Sequence, residues 1–179
     1  MDVLLRFSRF VDGVNAKLGW VSSWLVLLAC LISAGNASSR YALSMSSNAW
    51  LEIQWYMFSG MFLLGAAYTL KVNEHVRVDL VYANVSDRTR LWIDLFGLVC
   101  FLLPATIMLA MMTWPFFLDS FVRGEMSGNA GGLIRWPVKL LMPIGFALLT
   151  LQGVSELIKR IAALKGLIRL ETRYEAPQQ

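Results

Sequence analysis

LWIDLFGLVCFLLPATIMLAMMTWPFFLDSFV, residues 91–122, is the stretch that decides the fold. It carries only two charges, Asp94 near one end and Asp119 near the other. A helix needs only about 20 apolar residues to cross about 30 Å of hydrocarbon. This run is long enough to cross, and its excess length predicts tilt or projection past the headgroups. Comparable stretches cover about 20–40, 50–70 and 133–158. Apolar and polar residues do not alternate at period two, so a β-barrel is excluded. The reading is an all-α membrane protein, a single domain over residues 1–179 with four tilted transmembrane helices. Pro104, Pro115, Pro137 and Pro143 sit in or at the ends of the last two and predict kinks.

Composition agrees. Of 179 residues, 57% are apolar and 16% charged, against about 25% charged in soluble domains. Mean hydropathy is +0.57. These values exclude a soluble enzyme domain, a disordered segment and a nucleic-acid module, despite a net charge of +4. Cys30 and Cys100 lie deep in apolar runs and read as small buried hydrophobes.

Residues 2–18 read as a separate amphipathic helix lying in the membrane interface. Leu4, Phe7, Val11, Val14 and Leu18 recur at three- and four-residue steps, with Arg6, Arg9, Asp12 and Lys17 mostly on other faces. Orientation follows from the basic residues. With both termini in the cytoplasm, the N-terminal segment, the 71–90 loop and the 159–179 tail hold twelve of the 16 Lys and Arg. Only Arg40, Arg123, Arg135 and Lys139 then lie outside.

Small and polar residues mark the inward faces, because helices in lipid associate by close approach. Ser22, Ala29, Ser33, Asn36 and Arg40 form one stripe; Glu52, Tyr56 and Ser59 form another, near Gly60, Ala66 and Ala67. Arg40 ends the first span and Glu52 begins the second on the same side. The expectation is an Arg40–Glu52 ion pair, with Asn36 one turn below Arg40 as a hydrogen-bond partner. Arg90 and Asp94 are spaced to pair along one helix face, as are Glu156 and Arg160, the latter expected as a solvated interfacial pair in a polar stripe with Gln152. Trp20, Trp24, Trp55, Phe58 and Phe62 lie on other faces and suit lipid or a partner's groove. Glycines 128, 131 and 132 read as a flexible outer connection.

No nucleophile elbow, Walker loop, zinc-helix motif or dinucleotide fingerprint is present, and no cofactor or metal site is expected. His75 is the sole histidine, and one imidazole cannot ligate haem from two sides. That weakens the runner-up reading, a four-helix anchor subunit of a redox complex.

Several short motifs nevertheless occur together: Asn48-Ala49-Trp50-Leu51-Glu52, Gly65-Ala66-Ala67-Tyr68, and Glu74-His75-Val76-Arg77-Val78-Asp79 in the inner loop. The string from Ser127 to Pro137 is followed by Pro143-Ile144-Gly145. Across roughly residues 19–165 the chain resembles the small, DctQ-like membrane subunit of tripartite ATP-independent periplasmic (TRAP) transporters, in the branch labelled mannitol/chloroaromatic-type. It differs from the commoner pattern in having Ile53 and Gln54 after Glu52, and Asn73 and Glu74 before the histidine. The resemblance implies a non-catalytic scaffold in the bacterial inner membrane. Its partners would be a large permease subunit carrying the substrate and sodium sites, a periplasmic binding protein delivering a small organic anion such as a carboxylate, and membrane lipids. The loop motif Glu74, His75, Arg77 and Asp79 would face the cytoplasm. Arg123, Arg135 and Lys139 would form the docking surface for the binding protein.

Overall fold

A computed structural model describes residues 1–45, 47–73 and 85–168. Among them are four helices: α1 (Asp2–Leu43), α2 (Asn48–Lys71), α3 (Asp87–Val122) and α4 (Trp136–Leu164). Three of these, α1, α3 and α4, are long and apolar enough to cross a membrane. The loop residues Glu74, His75, Arg77 and Asp79 lie outside the described residues.

α1 departs from expectation. The interfacial helix over 2–18 is not a separate element, because the chain runs unbroken through Leu18, Gly19 and Trp20 as one helix of 42 residues. At 1.5 Å per residue that is a rod of about 63 Å, roughly twice the hydrocarbon thickness. Gly19 does not interrupt it, because its missing side chain receives a neighbour: a Cβ there would lie 2.5 Å from the Tyr68 ring of α2. The helix stops at Ser44, whose left-handed backbone (φ 54°) closes the last turn on the Ser39 carbonyl.

α1 and α2 form one antiparallel hairpin, α3 and α4 another. α4 is the central helix, packing against α1, α2 and α3. Its buried residues are mostly small or polar, among them Gly145, Gln152, Gly153, Ser155, Glu156 and Arg160. Bulky residues instead face outward, including Trp92, Phe96, Phe101, Met108, Met111 and Met112 on α3. This inversion is what a bilayer demands, since apolar burial between helices gains little when the lipid is equally apolar. Cys30 and Cys100 follow the same logic: both are exposed, not buried as expected.

The prolines are accommodated in different ways. Pro137 enters at the start of α4, where its missing N–H costs nothing. Pro104 follows a π turn at Leu98–Leu102, in which the Leu103 N–H reaches back to the Leu98 carbonyl. The wide turn makes room where the proline ring would otherwise press on the Cys100 carbonyl. Just beyond, Thr106 and Thr150 join α3 to α4 by a 2.9 Å hydrogen bond.

α2 and α4 approach closely enough at Gly145 to meet backbone. A Cβ on Gly145 would lie 2.7 Å from Leu63 Cβ and 2.8 Å from the Leu63 carbonyl oxygen. Backbone cannot step aside as a side-chain tip can. Gly145→Ala is therefore expected to push α2 away and cost about 1–3 kcal/mol, read as a lowered melting temperature of the full chain in detergent.

Candidate functional site: an outer cap and an inner charge network

The polar chemistry lies in two clusters, one at each end of the bundle. At the end bearing the α3–α4 connection Glu52 is 1% exposed, on the first turns of α2. Its carboxylate accepts from the Asn129 side-chain amide at 2.8 Å, from the Leu133 backbone N–H at 2.7 Å, and from the Ser127 hydroxyl. The α3–α4 connection is thereby folded down over α2. Within it, Met126 and Ile134 form an antiparallel bridge, closed by Ser127 N–H to the Leu133 carbonyl (3.0 Å) and Arg135 N–H to the Glu125 carbonyl (2.8 Å). Tyr56 donates to the Ile134 carbonyl at 2.7 Å and Asn48 to the Ala130 carbonyl at 3.0 Å. The glycine-rich stretch is thus an ordered cap held by α2, where the sequence suggested a flexible link.

The expected Arg40–Glu52 pair is not formed. Glu52 is saturated by residues 75–81 positions further along the chain, while Arg40 is exposed at the end of α1 and has no ion pair among the described residues. Asn36, one turn below Arg40, instead lines an open crevice of about 450 Å³ between the outer ends of α1 and α2.

The three basic residues expected to form a docking surface have different surroundings. Arg123 is exposed, with only the exposed Asp119 as partner at 2.6 Å. Arg135 is half-buried and donates to Ser127 Oγ at 3.2 Å, so it braces the cap. Lys139 pairs with Glu125 and sits 4.0 Å from the centre of the Phe116 ring. That ammonium holds the Glu125 carboxyl below the usual carboxylate range. Trp20, Trp24, Trp55, Phe58 and Phe62 are all exposed, and Trp20 and Trp24 meet edge to face at 5.8 Å.

The opposite end of the bundle holds a network that sequence reasoning only half anticipated. Glu156 and Arg160 pair as spaced, at 2.5 Å, but they are buried (5% and 7% exposed), not solvated. Arg160 also reaches Asp94 of α3 through Nε at 2.9 Å. Lys159 bridges Glu156 (2.5 Å) and Asp12 of α1 (3.1 Å). Gln152 stands between the groups: its amide donates to Asp12 at 2.8 Å and to Glu156 at 2.9 Å, while its carbonyl accepts from Asn15 at 2.7 Å. A Ser8–Ser155 contact at 2.6 Å completes the seam. Three helices are thereby locked together by charge. Asp12, Asn15 and Ser8 were missed because they lie on the polar face of α1, which hydropathy assigns to water. The usable signal was that α4 presents Gln152, Ser155, Glu156 and Lys159 on its own polar side.

Among the described residues, no group of three or more His, Cys, Asp or Glu side chains is arranged to hold a metal ion. The arrangement as a whole is internal bracing at two levels under an apolar exterior. Residues 29–163 match the family described as "Tripartite ATP-independent periplasmic transporters, DctQ component". No curated protein and no solved structure matches.

Proposed function

Because this chain belongs to the DctQ component family and is a small membrane subunit of a TRAP transporter, we infer that it serves as the stationary wall of an uptake complex. The large permease subunit slides its mobile part against this wall, and a periplasmic binding protein delivers the solute. The solute is a small organic anion, a carboxylate, imported with sodium in the manner of the mannitol/chloroaromatic branch. The single observation that carries the reading is where the polarity sits. Glu52, Glu156, Arg160, Asp94 and Asp12 engage partners within this chain, and the aromatic residues face outward. Such a bundle resists deformation and offers an apolar flank to lipid or to a companion subunit.

In this reading all four helices span the bacterial inner membrane, with both termini and the Glu74–Asp79 loop in the cytoplasm. α2 qualifies because its most polar group, Glu52, is satisfied by hydrogen bonds from the cap and shielded from lipid. The N-terminal third of α1 projects past the inner edge of the hydrocarbon as a continuation of the span, with Val3, Leu4, Phe7 and Phe10 exposed along it. Trp20, Trp24, Trp55, Phe58 and Phe62 contact the permease or its bound lipid.

The binding protein docks on the outer cap, and Arg123 serves it, its pairing with Asp119 being solvent-exposed and readily exchanged. Arg123→Glu is expected to lower uptake by about tenfold with no loss of the small subunit from the purified complex, the reduction due to one charge-assisted contact. Unchanged uptake in whole cells would remove Arg123 from the docking surface. Co-purification in mild detergent tests the scaffold itself: tagged small subunit should retain the permease, and transport by the isolated chain in liposomes would overturn the reading.

A further inference from the structure

The α1–α2 hairpin is tight along its lower part and open at its outer end. Lower down, each helix fills a notch left by a glycine of the other: a Cβ at Gly19 of α1 would strike the Tyr68 ring of α2, and one at Gly60 of α2 would lie 2.9 Å from Leu25 of α1. At Gly35 the same test meets nothing within 4 Å. Gly35 lines an open crevice of about 450 Å³ beside the turn that joins the two helices, walled by α1, by Met45 and Ser47 of the turn and by Trp50 of α2. Ligand sites typically start at about 300 Å³.

The walls say what fits. Leu31, Ile32 and Trp50 make an apolar slot, and Asn36 and Ser39 make its polar rim. Arg40 follows Asn36 by one turn on the same face. It is exposed and has no ion pair among the described residues, because Glu52 is fully engaged by the cap. An apolar slot at bilayer depth cannot be hydrated, and left empty it forfeits dispersion contacts along its whole lining. An acyl chain below, hydrogen-bonding ester oxygens at the rim and a phosphate at a guanidinium above make the chemistry of one molecule class.

We propose that this crevice is a binding site for a single phospholipid of the outer leaflet, its chain along Leu31, Ile32 and Trp50 and its phosphate on Arg40. The site rests on the membrane orientation given above, but not on the scaffold role. It commits the open part of the hairpin to lipid and not to a permease side chain.

The test is native mass spectrometry of the full chain in maltoside detergent, delipidated and then titrated with phosphatidylglycerol or phosphatidylethanolamine. Gly35→Leu adds a side chain at a wall of the slot, and its Cβ meets no protein atom within 4 Å, so it fills part of the site and spares the fold. Wild type is expected to bind one phospholipid, Gly35→Leu to bind it at least about tenfold more weakly, and Arg40→Gln to lose about tenfold through the phosphate contact. Lipid-free melting temperatures of both variants should equal that of wild type. Equal phospholipid binding by Gly35→Leu overturns the proposal, as does a wild type that binds none. A lipid-free wild type whose Gly35→Leu variant no longer retains the permease also overturns it, assigns the slot to the permease, and leaves the scaffold reading standing. Phospholipid bound as expected by a chain that never retains the permease supports the lipid site and removes the scaffold role.

Discussion

Arg160→Ala is expected to lower the stability of the bundle by about 3 kcal/mol, the low end of what breaking a buried ion pair costs. The guanidinium is 9% exposed and touches two carboxylates on two helices, Asp94 at 2.9 Å and Glu156 at 2.5 Å. Its removal leaves negative charge in a desolvated seam between α3 and α4. The low end applies because Lys159 still holds Glu156, at 2.5 Å. Thermal unfolding of the purified chain in detergent should show a fall of about 10 °C. Arg160→Lys keeps the charge but not the fork, and should recover part of the loss. The triple change Arg160→Met, Asp94→Leu, Glu156→Leu should recover most of it, because no charge is then left unpaired. A single Arg160→Ala variant that melts with wild type would mean that water reaches the seam and the charges are not desolvated.

Glu52→Ala is expected to release the outer cap. Three donors converge on that carboxylate, one of them the Leu133 backbone N–H. Hydrogen bonds to charged groups contribute about 1.5–3 kcal/mol each, and the three are not additive, so a total loss of about 3 kcal/mol is expected. The cap should open locally before the bundle melts. Protease cutting near Gly128–Gly132 is the direct readout, and it should rise well ahead of any loss of helix signal. Glu52→Gln retains one acceptor oxygen but presents its own N–H groups to Asn129, and should fall between the two. Unchanged protease resistance in Glu52→Ala would show that Tyr56 and Asn48 hold the cap by themselves.

Hydropathy located the rods, and spacing located the Glu156–Arg160 pair with Gln152 beside it. Both are local signals, carried by residues within one helix. What failed was everything that depended on which helix lies opposite. Arg40 and Glu52 are near in sequence and sit across a short hairpin, so pairing them was the economical guess. Glu52 instead met Ser127, Asn129 and Leu133 from the other hairpin. The N-terminal segment failed for a different reason. An amphipathic pattern does not say which face turns inward. Beside water the apolar face of residues 2–18 would pack on the protein, but here Ser8 and Asn15 are buried and Phe10 is exposed. The break expected near residue 19 was absent because nothing in Leu18-Gly19-Trp20 ends a helix once Tyr68 fills the notch.

The unbroken α1 behaves mechanically as a cantilever. Its lower end is clamped to α4 through Ser8, Asp12 and Asn15, its middle is wedged by Tyr68, and its last two turns overhang the gap beside Gly35. Bending of a clamped beam concentrates displacement at the free tip. Thermal sway of this rod therefore gathers toward Arg40–Leu43, while the anchorage at Ser8–Asn15 stays still.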